Sequence, residues 1–153
     1  IRLINGKGCT GVRILAKFLN DNKRNVFFLV DKDAKSRKVF TLKQLKTDGF
    51  SVRKQVFFVG TVEYEDVFSD DLYATTANTN WPKQNGRQWI NADFAAIRGP
   101  RFCDDLFALL QRESQAWVTK PDLGEAIAKT ITVPEIPQQI IDCFNKCCSL
   151  IKS

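Results

Sequence analysis

The chain has 153 residues, 44% of them hydrophobic, with a formal charge of +6 and a pI near 9.2. That is enough for a real hydrophobic core, and the modest Gly and Pro counts exclude a low-complexity or disordered chain. No apolar run approaches the roughly 20 residues of a membrane span, no signal pattern opens the chain, and the expected location is the cytoplasm.

Histidine is absent, which excludes Ser-His-Asp and Cys-His catalysis and every His-ligated metal site. Methionine is absent too, and the chain opens on Ile1, so the expectation is a piece of a longer protein. Cysteines stand at Cys9, Cys103, Cys143, Cys147 and Cys148. An odd count without a secretion signal reads as reduced thiols. The last three fall at helical spacing in an apolar pattern, as small core or interface residues. The positive balance suits a polyanionic partner such as nucleic acid.

In chain order, "IRLI" (1–4) predicts a short strand and "NGKGCTG" a glycine-rich loop. "VRILAKFLND" predicts a helix with Val12, Leu15, Ala16 and Leu19 at helical spacing. "NVFFLV" reads as a central parallel strand, because its apolar character is nearly continuous. A helix is predicted over 41–47, capped by Thr41, with Leu42 and Leu45 inward and Gly49 ending it. "QVFFVG" is a third strand of the same kind. Strand, helix, strand, helix, strand is the pattern of a parallel sheet with crossovers.

The pattern then changes. "TVEYEDVFSDDLYA" starts a helix, and "TTANTNWPKQNGRQW" reads as a polar loop with two tryptophans. "RFCDDLFALLQRES", "KPDLGEAIAKTI" (Pro121 in the first turn) and "PEIPQQIIDCFNKCCSLIK" read as helices. The predicted domains are an α/β core over 1–72 and a helical extension over 73–153.

Ligands of parallel α/β sheets bind beyond the carboxyl ends of the strands. Asp31 and Asp33 stand at one such end, and hard carboxylates there suit Mg²⁺ or Mn²⁺. The competing reading is a capped turn, its acids neutralised by Lys32, Lys35, Arg37 and Lys38. The next strand end leads to Glu63, Glu65 and Asp66, a second acidic cluster that would face the first; the same acids also favour a helix N-terminus. The "NGKGCTG" loop, with Lys7, is a tight turn first and a phosphate contact second. Trp81 and Trp89, with Lys83 and Arg87, either stack on bases or pack the helical portion, and packing is favoured. Lys120, just before Pro121, reads by itself as a surface lysine.

"LINGKGCTGVRILAKFL", "VFFLVDKDA", "VFFVGTVEYEDVF" and "KPDLGEAIAKTI…EIP" together resemble, in order, the Toprim domain of the OLD (overcoming lysogenization defect) family of nucleases. The resemblance spans most of the chain through short motifs. The family's first glutamate motif, an EGxxD-like stretch, is absent, which points to a segment upstream. The resemblance implies a Toprim-like α/β fold with a small parallel sheet, flanking helices and a helical C-terminal portion. It implies that Asp31 and Asp33 bind Mg²⁺ or Mn²⁺, and that Glu65, with Glu63 second to it, completes or adds a metal position. Lys120 would be the catalytic lysine, and the reaction hydrolysis of a DNA phosphodiester. The parent would carry an upstream ATPase domain and act in phage defence. Lys7, Lys35, Arg37, Lys83 and Arg87 are the candidate DNA contacts, and a homo-oligomer is compatible with this reading. Two other classes stay open: a catalytically degenerate Toprim serving nucleic-acid binding or assembly, and a phosphatase using Asp31 as nucleophile, against which Lys35 speaks.

Overall fold

"FLVD" and "VFFV" form the sheet. The computed structural model describes residues 9–32 and 41–151, leaving out the side chains of residues 9, 10, 42, 150 and 151. The predicted strand at 1–4, and with it Lys7, Asp33, Lys35 and Arg37, lies outside the described residues. Within them the fold is mixed α/β. In chain order come α1 (Cys9–Asp21), β1 (Phe28–Asp31), α2 (Leu42–Thr47), the one-turn α3 (Val52–Gln55) and β2 (Val56–Val59). After a 3₁₀ turn (Tyr64–Val67) follow α4 (Asp70–Asn80), α5 (Asn91–Ala95), α6 (Phe102–Glu113) and α7 (Lys120–Thr130). A second 3₁₀ turn (Val133–Glu135) leads to α8 (Gln138–Ile151).

The chain forms two compact units, Ile1–Tyr64 with Gln139–Ser153, and Glu65–Gln138. The predicted boundary at 72/73 falls inside α4, and most of α8 belongs with the sheet rather than with α4 to α7.

In the first unit β1 and β2 pair in parallel, as their continuous apolar runs predict, with Phe28 opposite Val56 and Asp31 opposite Val59. Strand side chains alternate between faces. Phe28, Val30, Val56 and Phe58 accordingly join one cluster with Ala16 and Val12 of α1, Leu45 of α2, and Phe50. Phe28 and Phe50 meet edge to face, ring centroids 4.8 Å apart, the arrangement aromatic quadrupoles favour. On the other face the Lys146 ammonium of α8 lies 5.7 Å from the Phe57 ring.

Local chemistry sets the helix ends. Thr41 and Gln44 make a reciprocal capping box at the start of α2, satisfying donors the helix leaves open. Gly49 follows at φ +86°, a conformation glycine adopts without a steric penalty. Arg13 grips Asp48 with two bonds, Nε–Oδ2 at 2.6 Å and Nη2–Oδ1 at 3.1 Å, and so ties α1 to the end of α2.

The second unit overturns one expectation. Residues 75–80 are helical rather than part of a polar loop. Thr and Asn are poor helix formers, but packing overrides propensity here. Leu72, Tyr73, Ala74, Thr76 and Ala77 are buried, and Thr79 and Asn80 bond back to the carbonyls of Thr75 and Thr76. The short helix α5 also lies within the stretch that lacked a predicted element.

Leu45 is fully buried, so Leu45→Ala is expected to cost about 2–5 kcal/mol, read as a lower denaturant midpoint. Asp48 offers a pH test. The Arg13 guanidinium holds its carboxyl below the ordinary value against the opposing effect of burial. Its contribution to stability is therefore complete above the unfolded-state pKa, about 4, and is lost as pH falls through the lower folded value. The melting-temperature gap between wild type and Asp48→Asn is expected to be widest above pH 5 and to close in stronger acid; a pH-independent gap would contradict the ion pair's role.

Candidate functional site

The carboxyl edge of the parallel pair is built in the first unit. Asp31 is the last residue of β1, half-buried, level with Val59. After Val59 the chain turns at Gly60, which is buried at φ +83°. A Cβ at Gly60 would lie 1.8 Å from the Glu63 carbonyl oxygen, so the turn folds back tightly over the strand end. The Gly60 N–H donates to Gln139 Oε1 of α8 at 3.0 Å. This closed turn sets where half-buried Glu63 follows the strand. Two carboxylate residues, Asp31 and Glu63, thus belong to the carboxyl ends of neighbouring parallel strands. Their oxygens are donors of the hard type that Mg²⁺ and Mn²⁺ take. Asp33 lies outside the described residues.

Glu65 opens the second unit, where it is brought together with Lys120. Lys120, its side chain 57% exposed, stands at the first residue of α7 with its ammonium 3.6 Å from Glu65 Oε1. Thr119 and Asp122 fix that helix start by a capping box, so Lys120 sits on a rigid element. Glu65 is held through its backbone, whose carbonyl accepts from the Tyr73 hydroxyl at 2.7 Å. Burial, then the Glu65 carboxylate, push the Tyr73 hydroxyl far above its ordinary pKa, keeping it a donor. A carboxylate oxygen of Glu65 and the buried Cys103 Sγ lie within 4.8 Å of each other.

Lys83 and Arg87 part company. Lys83 is buried, its ammonium 2.8 Å from Asp93 Oδ2, 3.7 Å from Glu113 Oε2 and 4.5 Å from the Trp89 ring centre. A buried lysine needs such partners, and this one lies inside the second unit rather than on its surface. Burial pushes the Asp93 carboxyl up, but the Ile90 N–H and Lys83 outweigh it and hold it below the ordinary value. Trp81 and Trp89 are also buried, the Trp89 indole donating to the Trp81 carbonyl at 2.7 Å. Arg87 is exposed.

The sequence reading missed an open groove of about 570 Å³ in the second unit, lined by Asp66, Asp70, Asp71, Asn91 and Arg98 among others. Arg98 pairs with Asp70 at 2.8 Å and donates to the carbonyls of Asp66 and Phe68. The stretch "TVEYEDVFSDDLYA" announced a helix, and only the fold brings α5 and Arg98 beside its start. Cys103 was likewise read only as a thiol. Among the described residues no helix is long and apolar enough to cross a membrane.

No protein-family model, curated protein or solved structure matches the chain.

Two glycines separate the closed turn from ordinary backbone strain. Gly60 and Gly86 both have positive φ, but a Cβ at Gly86 meets nothing within 4 Å. Gly86→Ala bears only the conformational penalty, about 1 kcal/mol. Gly60→Ala must also displace the Glu63 carbonyl and is expected to lower the melting temperature well beyond it. Equal losses would show that the turn after β2 gives way freely.

Proposed function

We propose that the chain carries the Toprim-type catalytic portion of a divalent-metal-dependent DNA endonuclease resembling the OLD family. The observation that carries this reading is the placement of Asp31 and the Gly60–Glu63 turn at the carboxyl ends of two adjacent parallel strands. Ligands of such sheets bind there.

Phosphodiester hydrolysis needs an activated water and neutralisation of a phosphate that gains charge, and neither requires the histidine this chain lacks. Mg²⁺ or Mn²⁺, when bound, supplies the polarised water and part of that neutralisation. The chain supplies the rest. Asp31 and Asp33 would hold the metal through oxygen, and Glu63 and Glu65 are the further acidic candidates. Lys120 offers an ammonium on a capped helix start, its orientation steadied by Glu65, to meet the phosphate or protonate the leaving oxygen. The upstream ATPase domain and the defence role are part of the same proposal and rest on the resemblance.

Calorimetric titration with Mn²⁺ tests it. Saturable binding is expected for the wild-type chain and loss of that binding for Asp31→Asn/Asp33→Asn. Identical titrations for the two would leave either the degenerate nucleic-acid-binding module or a site that needs the upstream glutamate, which the same titration of the intact parent separates. Lys120→Ala is expected to keep Mn²⁺ binding while lowering DNA cleavage by the intact parent by about 10²–10³-fold, the usual cost of losing one charge-stabilising donor.

A further inference from the structure

The charge of the chain is unevenly divided. Ile1–Tyr64 with Gln139–Ser153 carries 16 Lys and Arg against 6 Asp and Glu, whereas Glu65–Gln138 carries 7 against 11. A polyanion is attracted to the first unit and not to the second. Within the first unit Arg13 and Lys17 are taken up by Asp48 and Asp21. Lys23, Arg24, Arg53 and Lys54 are exposed, and among the described residues none of the four has an ion pair.

These four belong to one edge. Phe28 pairs with Val56, so the segments that lead into β1 and β2, 22–27 and 51–55, run side by side at the amino edge of the sheet. Neighbouring strands lie about 4.8 Å apart. Gln55 ties the two segments together: its Nε2 donates to the Val26 carbonyl at 3.0 Å, and its Oε1 accepts from the Ser51 N–H at 2.8 Å. Two pairs of cations thus stand on held backbone, at the edge opposite Asp31.

The backbone of Lys23 is a second sign. Its N–H donates to the Asn20 carbonyl and that of Arg24 to the Leu19 carbonyl, both at 2.9 Å. This pair of bonds closes a helix through a left-handed residue, for which glycine is the usual choice. Here the residue is lysine at φ +57°, and it is the one non-glycine with positive φ among the described residues. A side chain in that conformation carries steric strain that glycine avoids. Exposed and unpaired, Lys23 recovers nothing by packing, and what it adds over glycine is a cation. That cation also suits the carboxyl end of α1, but Arg53 and Lys54 sit on the single turn α3, which has no comparable dipole to satisfy.

We infer that Lys23, Arg24, Arg53 and Lys54 form an anchor for the phosphodiester backbone of a nucleic acid, at the sheet edge opposite the candidate metal site. This deepens, and rests on, the reading of the chain as a DNA-cleaving domain. Contacts of this kind hold a duplex without reading its sequence. An anionic bilayer offers the same charge, but a surface that binds one also inserts apolar side chains. The large apolar side chains left in water, such as Ile14, Phe18 and Trp117 (73% exposed), fall outside 22–27 and 51–55.

The test follows binding of a labelled duplex of about 20 base pairs by fluorescence anisotropy, between about 50 and 200 mM salt. EDTA is present, so the metal site takes no part. Each phosphate contact contributes about 0.9 to the slope of log affinity against log salt. Arg53→Gln/Lys54→Gln is expected to reduce the slope by about 2, and Lys23→Gly by about 1. Arg112→Gln/Lys129→Gln removes two exposed cations of the second unit and is expected to leave the slope unchanged. Lys23→Gly should melt at or above the wild type while binding more weakly, a combination that a merely structural lysine would not give. Three results would overturn the inference: unchanged slopes in both anchor variants, an equal fall in the second-unit pair, or no duplex binding by the wild type, whether or not phosphatidylserine vesicles capture it. A failed Mn²⁺ titration beside the expected slopes would leave the anchor without the metal site. Saturable Mn²⁺ binding beside unchanged slopes would leave the metal site without the anchor.

Discussion

The in-register parallel pairing of β1 and β2 is the constraint on which the first unit depends. Parallel neighbours cannot be joined by a tight turn, so the chain must cross over between them. α2 and α3 lie in that crossover, and Leu45 and Phe50 fill the space it encloses. The register also decides the chemistry. Asp31 opposite Val59 brings the first acid to the edge at which the second strand ends. A slip of one residue would send Phe28 and Val30 off the core face and turn Asp31, on the alternate face, toward it. Core and candidate site are thus specified by the same pairing.

The second unit depends on a different kind of centre. Tyr73 stacks on Phe94, tilts against Phe102 and meets Phe68 edge to face, while its hydroxyl holds the Glu65 carbonyl. Arg98 lies 4.0 Å over the Phe102 ring and binds the carbonyls of Asp66 and Phe68. The backbone from Glu65 to Phe68 carries two such anchors before α4 begins. An acidic segment that would otherwise repel itself is therefore fixed by an aromatic cluster and one guanidinium, and Glu65 receives its position from residues that take no part in the proposed chemistry.

What the sequence made legible was what depends on short range. The apolar runs announced β1 and β2, Thr41 and Gly49 announced the limits of α2, and Pro121 announced the start of α7. Residues 75–80 were misread because their propensity points one way and their burial the other, and burial is a tertiary property. Packing was the favoured reading of Trp81 and Trp89, and both are buried; Lys83 looked like a DNA contact because a polar loop surrounds it in sequence, whereas Asp93 and Glu113, which receive the lysine, lie 10 and 30 residues away. The pairing of Glu65 with Lys120 joins residues 55 positions apart, and no local spacing encodes it. Trp117 gave no signal at all, since exposure of one aromatic residue is decided by what fails to cover it.

The division of the tryptophans also makes the molecule its own optical reporter. Trp89 is buried under the Lys83 charge, and Trp81 is buried too, so their excited states relax with little solvent to reorient. The Trp117 indole is surrounded by water and emits at lower energy. The red edge of the intrinsic emission therefore belongs to one position three residues before Lys120 in the chain, and the blue edge to the packing of the second unit. Changes in colour at the two edges separate events at that surface from loosening of the interior, without any label being attached.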